Sequence, residues 1–448
     1  MQRQSSSLFL LIGLVACGSD APAPDEVRAR LTKDLVAIAD GTNASRAGGA
    51  SFPDTAQFAL LQTALSQLSS KIPTQTITDE MDVDLEGDFD GAKAAQWLNE
   101  HLFTDANHAG DGIYNVPASL ACESDEGIDP DCAQAFAKIQ LRIRVSENDD
   151  LLQFALQIGP DHDEPLEVGL SAKLLSLSVD LDEAEHAALA LLPKLGEDIP
   201  NFKLDGKATA KLELVAPAAA RITFDLDRTI WIRFADQGES LDGPTAFEFS
   251  SMASHVLDLG LDGAAHSMSL AIDLGSTKAR IPGDLLDFDE QDGPAAIHLP
   301  GFTADITYAD GQPLKIKELG LPGGFQLVVG SKEAIGIDLN PNDGHSFHGQ
   351  IANGLLEVSP RVDLRTRTDH APFGEEAPVY DVTRVLLEGG LRAHADDSVE
   401  VVGGTFSIET NPLSYGFSAV NGQCVRGTEA YDTARDAYYT QFAVGTCN

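Results

Sequence analysis

Closely spaced carboxylates and amides are the side chains in this sequence best placed to do chemistry, because a hard cation such as Ca2+ needs clustered oxygens. Asp287-Phe-Asp289-Glu-Gln-Asp292-Gly and Asp338-Leu-Asn340-Pro-Asn342-Asp343-Gly share one layout. Each puts oxygen side chains at its first, third, fifth and sixth places and glycine at its seventh. A calcium loop gathers six or more such oxygens on a sharp turn, but here Asp stands where its glycine belongs. Calcium is therefore set against a plain solvated turn whose Asp and Asn bond their own backbone. Asp82-Val-Asp84-Leu-Glu86-Gly87 opens in calcium-loop order, yet Lys93 replaces the bidentate glutamate, and its alternation fits an acidic-faced strand better. Asp343, His345 and His348 suggest a small metal site, weakened because positions 345 and 348 face opposite ways on a strand. Nucleophile signals are missing: there is no Gly-x-Ser-x-Gly elbow, Ser-x-x-Lys, His-Glu-x-x-His or phosphate-cradling glycine loop. The reading leans away from an enzyme.

Cys122, Cys132, Cys424 and Cys447 form an even set, which in an exported chain reads as disulfides. The two local pairings, Cys122 with Cys132 and Cys424 with Cys447, close the shortest loops, and each would contribute about 2–4 kcal/mol. Four zinc thiolates are the alternative, disfavoured because neither pair has Cys-x-x-Cys spacing.

A fifth cysteine has another use. Arg3 supplies a positive start, and Leu8 to Val15 form an apolar run too short to span a bilayer, which takes about 18 residues. Leu14-Val15-Ala16-Cys17 resembles the lipobox of bacterial lipoproteins. That resemblance implies cleavage before Cys17 and diacylation of its thiol, and two chains are enough for stable attachment. It also implies the outer membrane, because Gly18 stands where an aspartate would favour inner-membrane retention. Gly18 to Pro24 reads as a short extended tether. The resemblance stops there and covers none of the body.

The 448 residues carry 70 acidic against 30 basic side chains, a net charge of −40. Such a chain repels nucleic acid and anionic headgroups and favours basic partners, or cations, or serves solubility alone. With only 6% aromatic residues, a membrane barrel with its aromatic girdles is disfavoured.

The elements around these residues change period along the chain. Val27, Leu31, Leu35, Ile38 and Ala39 form a helical stripe from Pro24 to Asp40, followed by a flexible joint at 41–50. Pro53 to Ser70, Ala92 to Phe103 and Asp182 to Leu192 are further helix candidates. From Ile139 onward the period is two, as in Ile139 to Val145, Arg221 to Phe234, Met268 to Leu274 and Val399 to Ile408. Such alternation belongs to antiparallel sheet with one face in water. Asp-Gly or Asn-Gly pairs at Asp205, Asp242, Asp262, Asp292, Asp310, Asp343, Asn353 and Asn421 mark tight turns, and Thr303 to Lys317 is the clearest hairpin.

The expected fold is mainly β: a large antiparallel body, sandwich or strongly curved sheet, preceded by a helical N-terminal segment. The expected order is signal peptide 1–16, lipidated tether 17–26, helical segment 27–104 and β body 105–448, with a subdivision near 283–296. The function these readings favour is a lipid-anchored envelope protein that binds or scaffolds basic or envelope proteins. A carrier of apolar ligand such as lipid in a curved β cradle is the first alternative, and a calcium-dependent adhesin or hydrolase the second.

Overall fold

In the computed structural model, residues 21–47, 90–195, 201–282, 294–369, 380–411, 416–432 and 437–447 are described, apart from short gaps at 125–126, 129, 149, 237, 244, 254, 331, 395 and 397. Cys17, the acidic stretch at 82–87, the helix expected at 53–70 and the turn holding Asp287, Asp289 and Asp292 lie outside them. The protein is mainly β and antiparallel, as the alternation requires. Among the described residues, no helix is long and apolar enough to cross a membrane. The chain divides into two compact units, and the first takes in the described residues of 1–42, 89–199 and 209–215.

Helices and strands share one core in this first unit. Its strands are β1 (His108–Gly110), β2 (Ile113–Asn115), β3 (Glu123–Ser124), β4 (Gly127–Ile128), β5 (Arg142–Asn148), β6 (Leu151–Ile158), β7 (Asp163–Leu170) and β8 (Leu174–Asp180). They pair in sequence as β1–β2–β5–β6–β7–β8, with β3–β4 apart. The apolar stripe Val27, Leu31, Leu35 and Ile38 of the first helix is buried against Tyr114, Val145, Leu152 and Leu170. The expected boundary at residue 104 is therefore not a domain boundary: a lone amphipathic helix cannot bury its stripe, and the early strands supply the partner surface.

That first helix runs Pro24–Ala47, through the expected joint. Gly41 is there for closeness, since a Cβ would sit 2.3 Å from the Leu214 side chain. Helix Gly91–His101 starts where the Asp90 carboxylate accepts from the Lys93 backbone N–H at 3.0 Å, an N-cap that stabilises by roughly 1 kcal/mol. Helix Leu181–Leu195 encloses the stretch expected at 182–192. Strand β9 (Asn201–Ala216) contributes residues 209–215 to the first unit and its remainder to the second.

The second unit continues with β10 (Ala219–Ala235), β11 (Phe247–Ser251), β12 (Val256–Asp262), β13 (Ser267–Leu274), β14 (Thr277–Ile281), β15 (Ala295–Leu299), β16 (Phe302–Ala309), β17 (Leu314–Gly320), β18 (Phe325–Val329), β19 (Lys332–Leu339), β20 (Ser346–Ala352), β21 (Leu355–Asp369), β22 (Tyr380–Ala393), β23 (Val399–Asn411), β24 (Phe417–Val420), β25 (Gln423–Asp432) and β26 (Ala437–Thr446). Their pairings show a simpler plan than the number of strands implies. β10 pairs through one half with β12 and through the other with β11. Likewise β12 and β11 pair with β13 and β14, these with β16 and β15, and these with β17 and β18. The unit is thus a meander of long strands, those from β11 to β20 interrupted near their middle, and the interruptions line up as a seam across the sheet.

The composition of the seam explains the breaks. Pro300 and Gly301 separate β15 from β16, Pro322, Gly323 and Gly324 separate β17 from β18, and Pro341 lies between β19 and β20. Proline cannot donate to a ladder, and glycine permits the bends. Strands β21 and β22 cross the seam unbroken but shift register there, between Val358 and Val362 and between Glu388 and Gly390.

Asp262, Asp310 and Asn353, each with its glycine, sit in hairpin turns as expected, whereas Asn421-Gly422 joins β24 to β25, which both pair with β23 rather than with each other. Two of the Asp-Gly pairs are not in hairpin turns either. Asp205-Gly206 lies inside β9, where Gly206 has φ +118° and a Cβ would sit 2.6 Å from Thr229 O, and Asp343-Gly344 lies in the seam. The subdivision expected near 283–296 is also absent, because β14 and β15 on either side pair with each other in one unit.

Candidate functional site

Alternating strands place one apolar row across the second unit's sheet. Ile222, Leu259, Leu270, Ile306 and Ile316 are successive cross-strand partners from β10 to β17. Ile222 is 37% exposed at one end and Ile316 only 6% at the other. Next to it, Phe224, Leu257, Ile272 and Ala304 form a parallel row that is also exposed at its β10 end. Beyond β17 the face is sealed: Leu314, Ile351, Leu356, Leu391 and Val401, again direct partners, are all buried. They join a core with Leu339, Val385, Leu387, Phe406, Ile408 and Phe417 from the other side of the seam. Among the described residues, then, the same face is covered at its C-terminal end and open at its N-terminal end.

The second acidic turn falls in the seam between β19 and β20. Its residues bond mainly to their own backbone: Asn340 Oδ1 accepts from the Asp343 N–H at 2.9 Å, and the Gly344 N–H donates to Pro341 O at 2.9 Å. Asn342, Asp343 and His345 all take positive φ, which Asn, Asp and His tolerate better than most residues. The Asn340 N–H donates to Asp363 O at 3.0 Å and pins the turn to β21.

Asn340, Asn342 and Asp343 share a half-open cavity of about 220 Å³ with Arg361, Asp363, Arg365 and Arg384. Asp338 is not part of its lining; it lies 3.6 Å from His345 Nδ1, which also contacts Leu339 O at 3.0 Å. His348 is exposed on β20 opposite Ser359, away from this group. Three of the four expected ligands on this turn therefore come together, but they do so among three guanidinium groups, which repel a divalent cation.

Asp363 organises this cavity. Arg365 bonds it through Nε and Nη2 at 3.2 and 2.9 Å, and Arg384 does the same at 2.8 and 2.5 Å. Burial pushes the Asp363 carboxyl up, but the hydrogen bonds from Arg384 and Arg365 outweigh it and hold the carboxyl at about 2. The neighbouring side chains of β21, Val362 and Leu364, pack on the apolar core, so the cavity lies on the sheet's opposite face. The signal for these residues was present as Arg361-Val-Asp363-Leu-Arg365-Thr-Arg367, four charges at alternate positions. Arg384 was not readable beside them, because it arrives only through its register with Arg365.

Both local disulfides form, Cys122–Cys132 and Cys424–Cys447. The second brings both sulfurs near His394, but bonded sulfurs offer no thiolate to a metal. A serine–histidine pair also emerges: Ser251 Oγ lies 2.8 Å from His255 Nε2 and 3.0 Å from Thr277 Oγ1. Both residues are buried in the seam, and burial pushes the His255 pKa down, so the pair satisfies its own polar groups without access to substrate.

Comparison with known proteins adds no relative. No family model, curated protein or solved structure matches the chain.

Proposed function

We propose that the chain is a lipid-anchored protein of the bacterial envelope with a binding rather than catalytic role, holding the acyl part of a lipid against the open apolar face of its second unit. The observation that carries this is the gradient along Ile222, Leu259, Leu270, Ile306 and Ile316, one continuous row that begins exposed and ends sealed. Isolated surface apolar residues are ordinary, whereas contiguous ones mark a binding surface. Phe224 and Phe234, at alternate positions of β10 with Ile222, extend the exposed patch along that strand. Five strands at ~4.8 Å spacing make the row roughly 19 Å long, enough for an extended chain to lie across them. The lipobox and paired cysteines support the address, and the strong negative charge disfavours nucleic acid as the ligand.

The test uses the full chain carrying Cys17→Ala, which removes its own lipid, and a fluorescent acyl probe. Saturable probe binding, displaced by a long-chain fatty acid and lost in Phe224→Asp without a change in melting, supports the reading. Absence of binding, or equal binding by Phe224→Asp, sinks it. Palmitate labelling in cells that persists in Cys17→Ala removes the anchor.

A further inference from the structure

We propose that the seam cavity on the polar face of the second unit binds a phosphoryl-type oxyanion between Arg361, Arg365 and Arg384. Three guanidiniums and two carboxylates, Asp343 and Asp363, line it, in a protein whose overall charge is −40. Local excess positive charge against that background is a built feature of the site, independent of the apolar face.

The geometry leaves the right donors free. One carboxylate, Asp363, receives the Nε and Nη2 groups of both Arg365 and Arg384. Each guanidinium has five N–H donors in a rigid fork, so pairing one edge fixes the plane and leaves the Nη1 edge for a second acceptor. One negative charge also cannot neutralise two positive ones. On Arg384, the unused Nη1 lies 4.0 Å from Glu409 Oε2, beyond hydrogen-bond reach. Arg361 has no ion-pair partner among the described residues and lines the same cavity. Asn340 and Asn342 add side-chain amides to the lining.

A tetrahedral oxyanion matches this donor set, since its oxygens accept from several forks at once and arginine is the favoured residue for bidentate phosphate recognition. The volume of about 220 Å³ is below the ~300–1,000 Å³ of pockets that engulf a whole small molecule. The cavity therefore fits one charged group, either free phosphate or the phosphate of a larger headgroup. Asp343 lines the same cavity and its charge opposes the anion, so its removal strengthens binding.

The experiment uses the full chain with Cys17→Ala and measures calorimetric binding of inorganic phosphate against chloride at equal ionic strength, together with sedimentation on vesicles of phosphatidylcholine with and without phosphatidic acid. Phosphate binding weakened about tenfold in Arg361→Gln, and strengthened in Asp343→Asn, supports a free-ion site. Retention only on phosphatidic acid vesicles, lost in Arg361→Gln, supports a headgroup site. Arg361 is exposed and unpaired, so its replacement leaves the fold intact, which an unchanged melting temperature checks. No binding in either arm, equal binding by wild type and Arg361→Gln, or a melting increase with calcium that Asp343→Asn abolishes overturns the proposal.

Discussion

The two ends of the second unit's sheet are built alike and finish differently. From β10 to β16, apolar residues alternate with polar ones and stay partly exposed; from β17 to β25, the same alternation is sealed into a core. Strand pattern is common to both, so it does not decide which end closes. What differs is crossing. β21, β22 and β23 run unbroken across the seam and carry core residues on both sides of it, such as Leu356 with Leu364 and Leu391 with Val385. Between β11 and β20 each long strand is interrupted there. At the sealed end three adjacent strands cross the seam unbroken and share one core, whereas at the open end β10 alone does so and its neighbours β11 to β16 are interrupted.

The largest expected effect comes from the sealed end. Phe406→Ala removes a buried ring packed edge-on against Phe417 and is expected to cost about 3–5 kcal/mol in chemical denaturation. A cost under 1 kcal/mol would mean that this end is as loose as the other. Removing the Cys424–Cys447 bond with a double serine replacement is expected to cost about 2–4 kcal/mol, because its loop spans 23 residues at the sealed end. An unchanged melting curve would show that packing alone closes the sheet.

Next comes acid. The Asp363 carboxyl titrates at about 2 when folded, below its ordinary 3.8. The unfolded chain therefore takes up this proton first, so the stabilisation of about 2 kcal/mol is complete above pH 4 and is lost as pH falls from 4 through 2. Asp363→Asn should flatten the stability curve in that window; an identical slope in both proteins would show that the two arginines do not hold the carboxyl. The smallest effect is expected at the open end, where Phe224→Ala should change stability by no more than about 0.5 kcal/mol. A loss comparable with that of Phe406→Ala would erase the contrast.

Much of the architecture was legible in the sequence, because alternation and turn chemistry are local. Thr303 to Lys317 could be read as a hairpin from its own residues, and Val27 to Ile38 as a buried stripe. The seam was not legible in that way. Pro300-Gly301 and Pro322-Gly323 read as loop signals one at a time, and only their alignment across neighbouring strands makes a feature of them. The boundary at 104 failed because the partner of a helical stripe is not written in the helix. The acidic turn at 338–344 shows a related limit: its oxygens could be counted, whereas the three arginines beside it come from strand positions up to 46 residues away.

The seam is crossed by a chain that pairs each long strand with its immediate neighbour, and this bears on how the unit forms. A Greek-key sandwich must close long loops before its strands meet, which slows all-β folding. From β10 to β23, this unit never makes such a closure: each new long strand zips onto the one just completed. Its sequence-distance cost is therefore low for an all-β body of this size, and growth can proceed strand by strand as the chain is made, with the unbroken β21 to β23 supplying the late, sealing step.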